Sequence, residues 1–375
     1  MAGIYIHVPF CRKKCHYCDF YRTTGIEKKA QFLEALKREI LLRPDFLEGE
    51  AVQTIYWGGG TPSVLSPDEI AEILELLNSH FRMESGQEIT LEANPDDVSA
   101  SYLNHLRQAG INRLSLGIQS LDDQELKLMN RRHSAASAVS SVEEAYRAGF
   151  RDISIDLIFG IPGQTTAKWK ETLHQTLQWP VNHLSAYHLT YHKGTLFDQW
   201  LKKGTIREIS EEESISQFEE LISMTTRAGF EQYEISNFAR NEACSRHNTG
   251  YWQGKKYLGL GPSAHSYNGI SRSWNVAHLE RYVSAVLSGK PAITAEILSE
   301  KDRLNDYIIT GIRTQWGISL PKIREEYGAE VADNITREIR RLEDRSLVQF
   351  RNGTVTLTRG GIMISDQITR DLILE

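Results

Sequence analysis

The chain has 375 residues, of which 40% are hydrophobic and 25% charged, with a net charge of −6. That describes a globular chain able to bury a large core without a disulfide or structural metal, and it excludes a global electrostatic pull toward nucleic acid or anionic lipid. No stretch approaches the roughly 20 apolar residues of a membrane span, and no basic segment precedes a long apolar run at the N-terminus, so the expected compartment is the cytoplasm.

A β-like run at 4–8 opens the chain and leads directly into Cys11-Arg-Lys-Lys-Cys15-His-Tyr-Cys18. Three of the four cysteines thus fall within eight residues, while Cys244 stands alone as an ordinary thiol. In a reducing compartment such clustering points to metal or redox chemistry rather than to disulfides. Thiolates are the usual ligands of iron–sulfur clusters. Three close cysteines can cap three irons of a four-iron cluster and leave the fourth open to a small molecule. The rival is a zinc ion on Cys11, Cys15, His16 and Cys18, for which the spacing is short.

Downstream, β-like runs at 52–57, 88–93, 113–117, 152–157 and 183–189 alternate with helical patterns at 28–43, 67–81, 99–109 and 135–148. Phe32, Leu33, Leu36, Ile40 and Leu41 follow a 3.6-residue period, and Ser66 with Pro67 forms a helix start. Six β–α units in series predict an α/β fold, a parallel sheet with outer helices curled into a partial (β/α) barrel. Ligands in such folds bind at the carboxyl ends of the strands. From about residue 302 the character changes. Helical patterns at 319–327 and 331–345 precede a hairpin turning at Asn352-Gly353, which predicts a small helical, winged-helix-like module. The expected division is 1–290 for the barrel and 291–375 for the C-terminal domain.

The cysteine loop, CxxxCxxC, resembles the signature of the radical S-adenosylmethionine superfamily. The turn Gly58-Gly59-Gly60-Thr61-Pro62 resembles the glycine-rich segment that meets the amino end of S-adenosylmethionine, where missing side chains allow close backbone approach. Glu92, Gln119, Arg131 and Asp156 resemble the polar residues at successive strand ends, and Tyr5 resembles a tyrosine beside the cluster. The resemblance therefore implies a [4Fe-4S] cluster on Cys11, Cys15 and Cys18. It also implies a site for S-adenosyl-L-methionine formed by Tyr5, Gly59, Gly60, Thr61, Glu92, Gln119, Arg131 and Asp156.

Within the superfamily the chain is similar to the oxygen-independent coproporphyrinogen III oxidases and their relatives. The likeness runs through Tyr5-Ile-His7-Val-Pro9-Phe10-Cys11, Asp156-Leu-Ile-Phe-Gly160-Ile-Pro162, Gly259-Leu-Gly261-Pro-Ser263-Ala264 and the C-terminal module. It departs from the oxidases at Phe20, where they carry a fourth cysteine, and in having only ten residues before Cys11. His247-Asn248-Thr-Gly-Tyr251-Trp252 resembles the HNxxYW motif of the heme-chaperone family, HemW. That resemblance implies heme binding with His247 as ligand, transfer to heme-accepting proteins, and no oxidase activity, so no catalytic residue is assigned. Relatives make a homodimer the reasonable expectation.

Two alternatives stay open. One is a radical enzyme that decarboxylates coproporphyrinogen III. The other is a cluster-containing DNA-binding regulator using Arg337, Arg340, Arg341 and Arg345. There, the interleaved Glu338, Glu343 and Asp344 favour a solvated helix face, and no nucleic-acid partner is expected.

Overall fold

The computed structural model describes residues 2–374. Strands β1 (Ala2–Val8), β2 (Val52–Gly59), β3 (Met83–Ala93), β4 (Arg113–Gln119), β5 (Asp152–Phe159) and β6 (His183–His188) lie side by side in chain order, all parallel. The connections carry α1 (Lys29–Leu42), α2 (Pro67–His80), α3 (Ala100–Gln108), α4 (Asp123–Leu128), α5 (Ala135–Arg147) and α6 (Thr166–Thr176). Ile4, Ile6, Ile55, Trp57, Leu91, Leu114 and Ile155 are buried with helix residues such as Phe32, Leu36, Ile70 and Ile73. Such near-continuous apolar strands are what a sheet covered by helices requires. Ser66 caps α2 as expected, and Glu69 closes a reciprocal capping box with it.

Beyond β6 the chain forms α7 (Leu196–Lys202) and α8 (Glu211–Arg227), then β7 (Glu231–Gln232) and β8 (Asn237–Ala239), which add antiparallel strands outside β6. Then it crosses back. After α9 (Arg246–Trp252), strand β9 (Tyr257–Leu260) pairs parallel with β1 on its free side. Strands β10 (His265–Tyr267), β11 (Ser271–Asn275) and β12 (Ile293–Ile297) extend that edge as an antiparallel meander, with α10 (Leu279–Leu287) between the last two. The sheet has 12 strands and ends at β7 and β12 rather than closing. The sequence pattern does not reveal this return, because short edge strands have no periodicity of their own.

The sheet runs to Ile297, past the expected boundary at 290. A separate core follows in α11 (Glu300–Ile312), β13 (Ile318–Ser319), α12 (Leu320–Tyr327), α13 (Ala329–Asp344), β14 (Val348–Arg351), β15 (Thr354–Leu357), α14 (Arg359–Met363) and α15 (Ser365–Leu372). Leu304, Ile308, Ile323, Ile335, Ile339 and Val355 pack at its centre. Asn352 and Gly353 both take positive φ, as a two-residue hairpin loop requires. The fold is thus α/β, a partial barrel followed by a helical, winged-helix-like part. Arg272 to Asp306, at 3.5 Å, ties the two together.

Candidate functional site

The strands β1 to β6 end on one side, and their loops surround a cavity of about 440 Å³. Cys11, Cys15 and Cys18 line it after β1, Gly59, Gly60 and Thr61 at the end of β2, Glu92 on β3, Gln119 on β4, Arg131 after α4, and Asp156 on β5. These residues, up to 145 positions apart in the chain, meet here because every strand points the same way.

The cysteine loop is pinned from outside. The His16 amide donates to the Met129 carbonyl at 3.2 Å, the Phe197 amide to the His16 carbonyl at 3.1 Å, and the Asn130 amide side chain to the Lys14 carbonyl at 2.6 Å. His16 Nδ1 donates to the Leu128 carbonyl at 2.8 Å, and its ring packs 4.8 Å from Trp200. His16 therefore faces away from the thiols. Among the described residues no three His, Cys, Asp or Glu side chains converge for a single metal ion. Three thiols spread along a cavity wall suit a multi-iron cluster better than a lone zinc.

Two groups support the sulfurs. Thr61 Oγ1 donates to Cys11 Sγ at 3.3 Å, and Arg131 Nη1 to Cys15 Sγ at 3.5 Å. Burial pushes the Cys11 thiol up, opposed by the Thr61 hydrogen bond, and pushes Cys18 up to about 11. The metal-binding form is the thiolate, so metal entering this loop displaces protons. Gly59 has φ +105°, and a Cβ there would stand 2.7 Å from the His7 ring. A Cβ on Gly60 would meet the Phe10 and Val8 carbonyl oxygens at 2.8 and 2.9 Å. These glycines let the β2 turn press against the exit of β1, which brings Thr61 to Cys11.

Deeper in, the Tyr56 hydroxyl donates to Glu92 at 2.8 Å, and Ser115 donates to the Asp156 carboxylate at 3.3 Å. Burial, with the charge of Asp156 added, raises Glu92 to about 8. Burial raises Asp156 to about 6 against hydrogen bonds from Ser185 and Ser115. Two desolvated acids in one cavity await a positive charge, which would return them to the ionised form. Arg131 Nη2 donates to Asn94 Oδ1 at 2.5 Å and the Gly117 carbonyl at 2.7 Å. Burial opposes its charge, but Tyr17 and Cys15 beside it hold it above its ordinary value. Arg131 Nε, Arg113 Nη2 and Thr90 Oγ1 are buried without partners on residues that line this cavity. Thiols, cation-seeking acids and unpaired donors together fit a cluster with a small zwitterionic, cationic ligand such as S-adenosylmethionine.

Two expected residues lie elsewhere. Tyr5 stacks against Tyr56 and His247, with centroids at 6.2 and 6.4 Å, and its hydroxyl donates to His7 Nδ1 at 3.1 Å. It lines a second cavity rather than the cysteine cavity. His247 is 3% exposed; Nδ1 bonds Thr54 Oγ1 and Nε2 bonds Tyr251 Oη, both at 2.8 Å. Burial lowers it to about 3, so the imidazole is neutral, with one N–H and one lone pair, and both are used. In this arrangement neither ring nitrogen of His247, the expected heme ligand, is left free. The motif is a docked helix, α9. Glu88 accepts from the Arg246 and His247 amides at 3.0 and 3.1 Å, a carboxylate on a helix N-terminus. That helix sets Asn248 on the first cavity and Tyr251 and Trp252 on the second.

The second cavity, about 730 Å³, lies between the β9–β11 edge and helices α11 and α12. Asp19 and Phe20 line both cavities, and Phe20 is 64% exposed. Sequence reasoning missed this space, since it arises only where β9 returns to β1. It also missed Tyr56 and Thr61 as partners of Glu92 and Cys11. The alternation of β2, which turns Tyr56 to the face opposite Trp57, was the available signal for the first.

The radical SAM superfamily profile matches residues 5–176, and the HemN C-terminal domain profile matches residues 298–364. The chain is 32% identical over 371 residues to the heme chaperone HemW of Bacillus subtilis, covering 98% of each chain. It is 32% identical over 381 residues to the heme chaperone HemW of Mycobacterium tuberculosis, covering 99% of this chain and 94% of that one. Among solved structures, coproporphyrinogen III oxidase (HemN) from Escherichia coli, described as a radical SAM enzyme, aligns with a TM-score of 0.86 and 25% identity. The alignment covers 99% of this chain and 90% of that chain.

Proposed function

Because the chain belongs to the HemW family of the radical SAM superfamily, we propose that it is a heme chaperone that binds heme and transfers it to acceptor proteins. Cys11, Cys15 and Cys18 hold a [4Fe-4S] cluster, and the cavity beside them takes S-adenosylmethionine. When bound, the cluster supplies an open iron for the amino-acid end of that ligand and a source of electrons. The protein's own residues position it. Glu92 and Asp156 offer carboxylates to its positive charge and its ribose hydroxyls, Gln119 and the Gly59–Gly60 turn border it, and Arg131 anchors the wall through Asn94 and Cys15.

What supports a chaperone over an oxidase is the match to HemW relatives along essentially the whole of both chains. Phe20, two residues past Cys18, places an exposed phenyl ring where the oxidases carry a cysteine. The test is anaerobic. The cluster-loaded chain, with S-adenosylmethionine and reductant, is given coproporphyrinogen III in one arm and heme in the other. A heme-dependent Soret shift with no protoporphyrinogen is expected; formation of protoporphyrinogen overturns the chaperone in favour of the oxidase.

A further inference from the structure

We propose that the second cavity is the heme seat, with His265 as the axial ligand; this rests on the chaperone function above. His265 opens β10 at the cavity wall and is exposed. Of the two histidines on this cavity, His7 uses both nitrogens: Nε2 donates to the Tyr21 carbonyl at 2.9 Å and Nδ1 accepts from Tyr5. The His265 ring makes no hydrogen bond among the described residues, although its backbone pairs with Trp274 in the ladder. Its ring is held instead by stacking on Trp274, at 5.8 Å between centroids and 24° between planes. Burial and the neighbouring Arg272 keep it below its ordinary value, so it is neutral at pH 7, the form that binds iron.

The walls suit a flat, apolar macrocycle. Tyr251, Trp252 and Tyr257 come from the barrel side, and Tyr307 and Tyr327 from the C-terminal domain. Trp252 Nε1 is buried without a partner. Aromatic faces of this kind pack on planar ligands while their polar edges reach hydrogen-bonding groups. The charges suit acidic side arms. Asp306 is paired with Arg272 at 3.5 Å and Glu326 with Lys322 at 4.0 Å, which leaves Lys255 and Arg303 as cations for carboxylates. At the shared mouth Asp19 is paired with His192 at 3.4 Å. The size, about 730 Å³, exceeds that of the cysteine cavity and falls within the range of small-molecule sites. An iron tetrapyrrole with acidic arms meets all three features: a free imidazole, facing aromatic walls and unpaired cations.

The test titrates ferric heme into the full chain, cluster-loaded, and follows the Soret band and the electron paramagnetic resonance of the heme iron. His265→Ala is expected to weaken binding at least tenfold and to remove the histidine-ligated signal, whereas His174→Ala, on the exposed face of α6, titrates like the parent. Thr310→Trp, which fills the cavity from α11, is expected to block binding with an unchanged circular dichroism spectrum. The seat is overturned if His265→Ala and Thr310→Trp both bind like the parent, or if His247→Ala alone removes the signal while remaining folded. A parent chain that leaves the Soret band unshifted overturns the chaperone function and the seat together.

Discussion

Thr54 and His247 stand 193 residues apart in the chain, yet Thr54 Oγ1 and His247 Nδ1 lie 2.8 Å apart inside the protein. This contact docks α9 on β2, and the Tyr251 hydroxyl closes the other side of the ring. Gly3 makes room for it, since a Cβ there would stand 2.9 Å from Thr54 Oγ1 and 3.2 Å from the imidazole.

His247→Ala is therefore expected to act on stability. It leaves the Thr54 and Tyr251 hydroxyls without their partner, at about 1–3 kcal/mol for a buried polar group so abandoned. Gly3→Ala should cost a similar amount, about 1–3 kcal/mol, by overpacking the same spot. Urea denaturation of the chain, monitored by circular dichroism, measures both. Parent-like midpoints would mean that α9 is not held through this ring.

The bond from Thr61 to Cys11 makes a prediction about the cluster. Hydrogen bonds to ligand sulfur stabilise the reduced, more negative state, so their loss lowers the reduction potential. Thr61→Val should keep the visible cluster absorbance and shift the potential downward in an anaerobic redox titration. Cys15→Ala should abolish that absorbance, and colourless parent protein holding zinc instead would refute the cluster.

Glu92 sets the alkaline side of stability. Its folded value, about 8, lies above the ordinary 4.5. The folded chain therefore holds a proton that the unfolded chain releases, and this contribution is complete below pH 4.5 and lost as pH rises through 8. Asp156 acts in the same sense from 3.8 to about 6. Glu92→Gln should melt at a higher temperature than the parent at about pH 9 and lose that advantage near pH 5. The same variant should bind S-adenosylmethionine more weakly, as read by isothermal titration.

His247 sets the acid side. Burial puts its folded value near 3, below the ordinary 6.5, so its contribution is present above pH 6.5 and lost as pH falls toward 3. His7, held near 4 chiefly by burial, adds to the same loss. Because Glu92 and Asp156 gain stability over part of the same range, the loss is read as a difference: the melting temperature of the parent relative to His247→Ala should fall from pH 6.5 downward, and Thr54→Val should lower the whole parent curve without moving where that fall begins.

Much of the architecture was legible in the sequence. The six apolar runs became β1 to β6, Ser66 and Pro67 started α2, and Asn352-Gly353 turned the hairpin. Each of these signals is local: a period, a cap, a turn. Placing motifs at strand ends also brought Cys11, Cys15, Cys18, Thr61, Glu92, Gln119, Arg131 and Asp156 to one cavity, because parallel strands share one carboxyl edge.

The sequence by itself determined the cysteine loop, its family and the cavity next to it, since spacing and strand order are written along the chain. Only the tertiary structure decided that Tyr5 faces the other cavity and that His247 has no lone pair left. It also decided that His265 stands unbonded on an aromatic wall between the two cores. The physical reason is that a histidine's capacity to bind iron depends on which nitrogens its neighbours already occupy, and those neighbours, Thr54 above all, come from far along the chain.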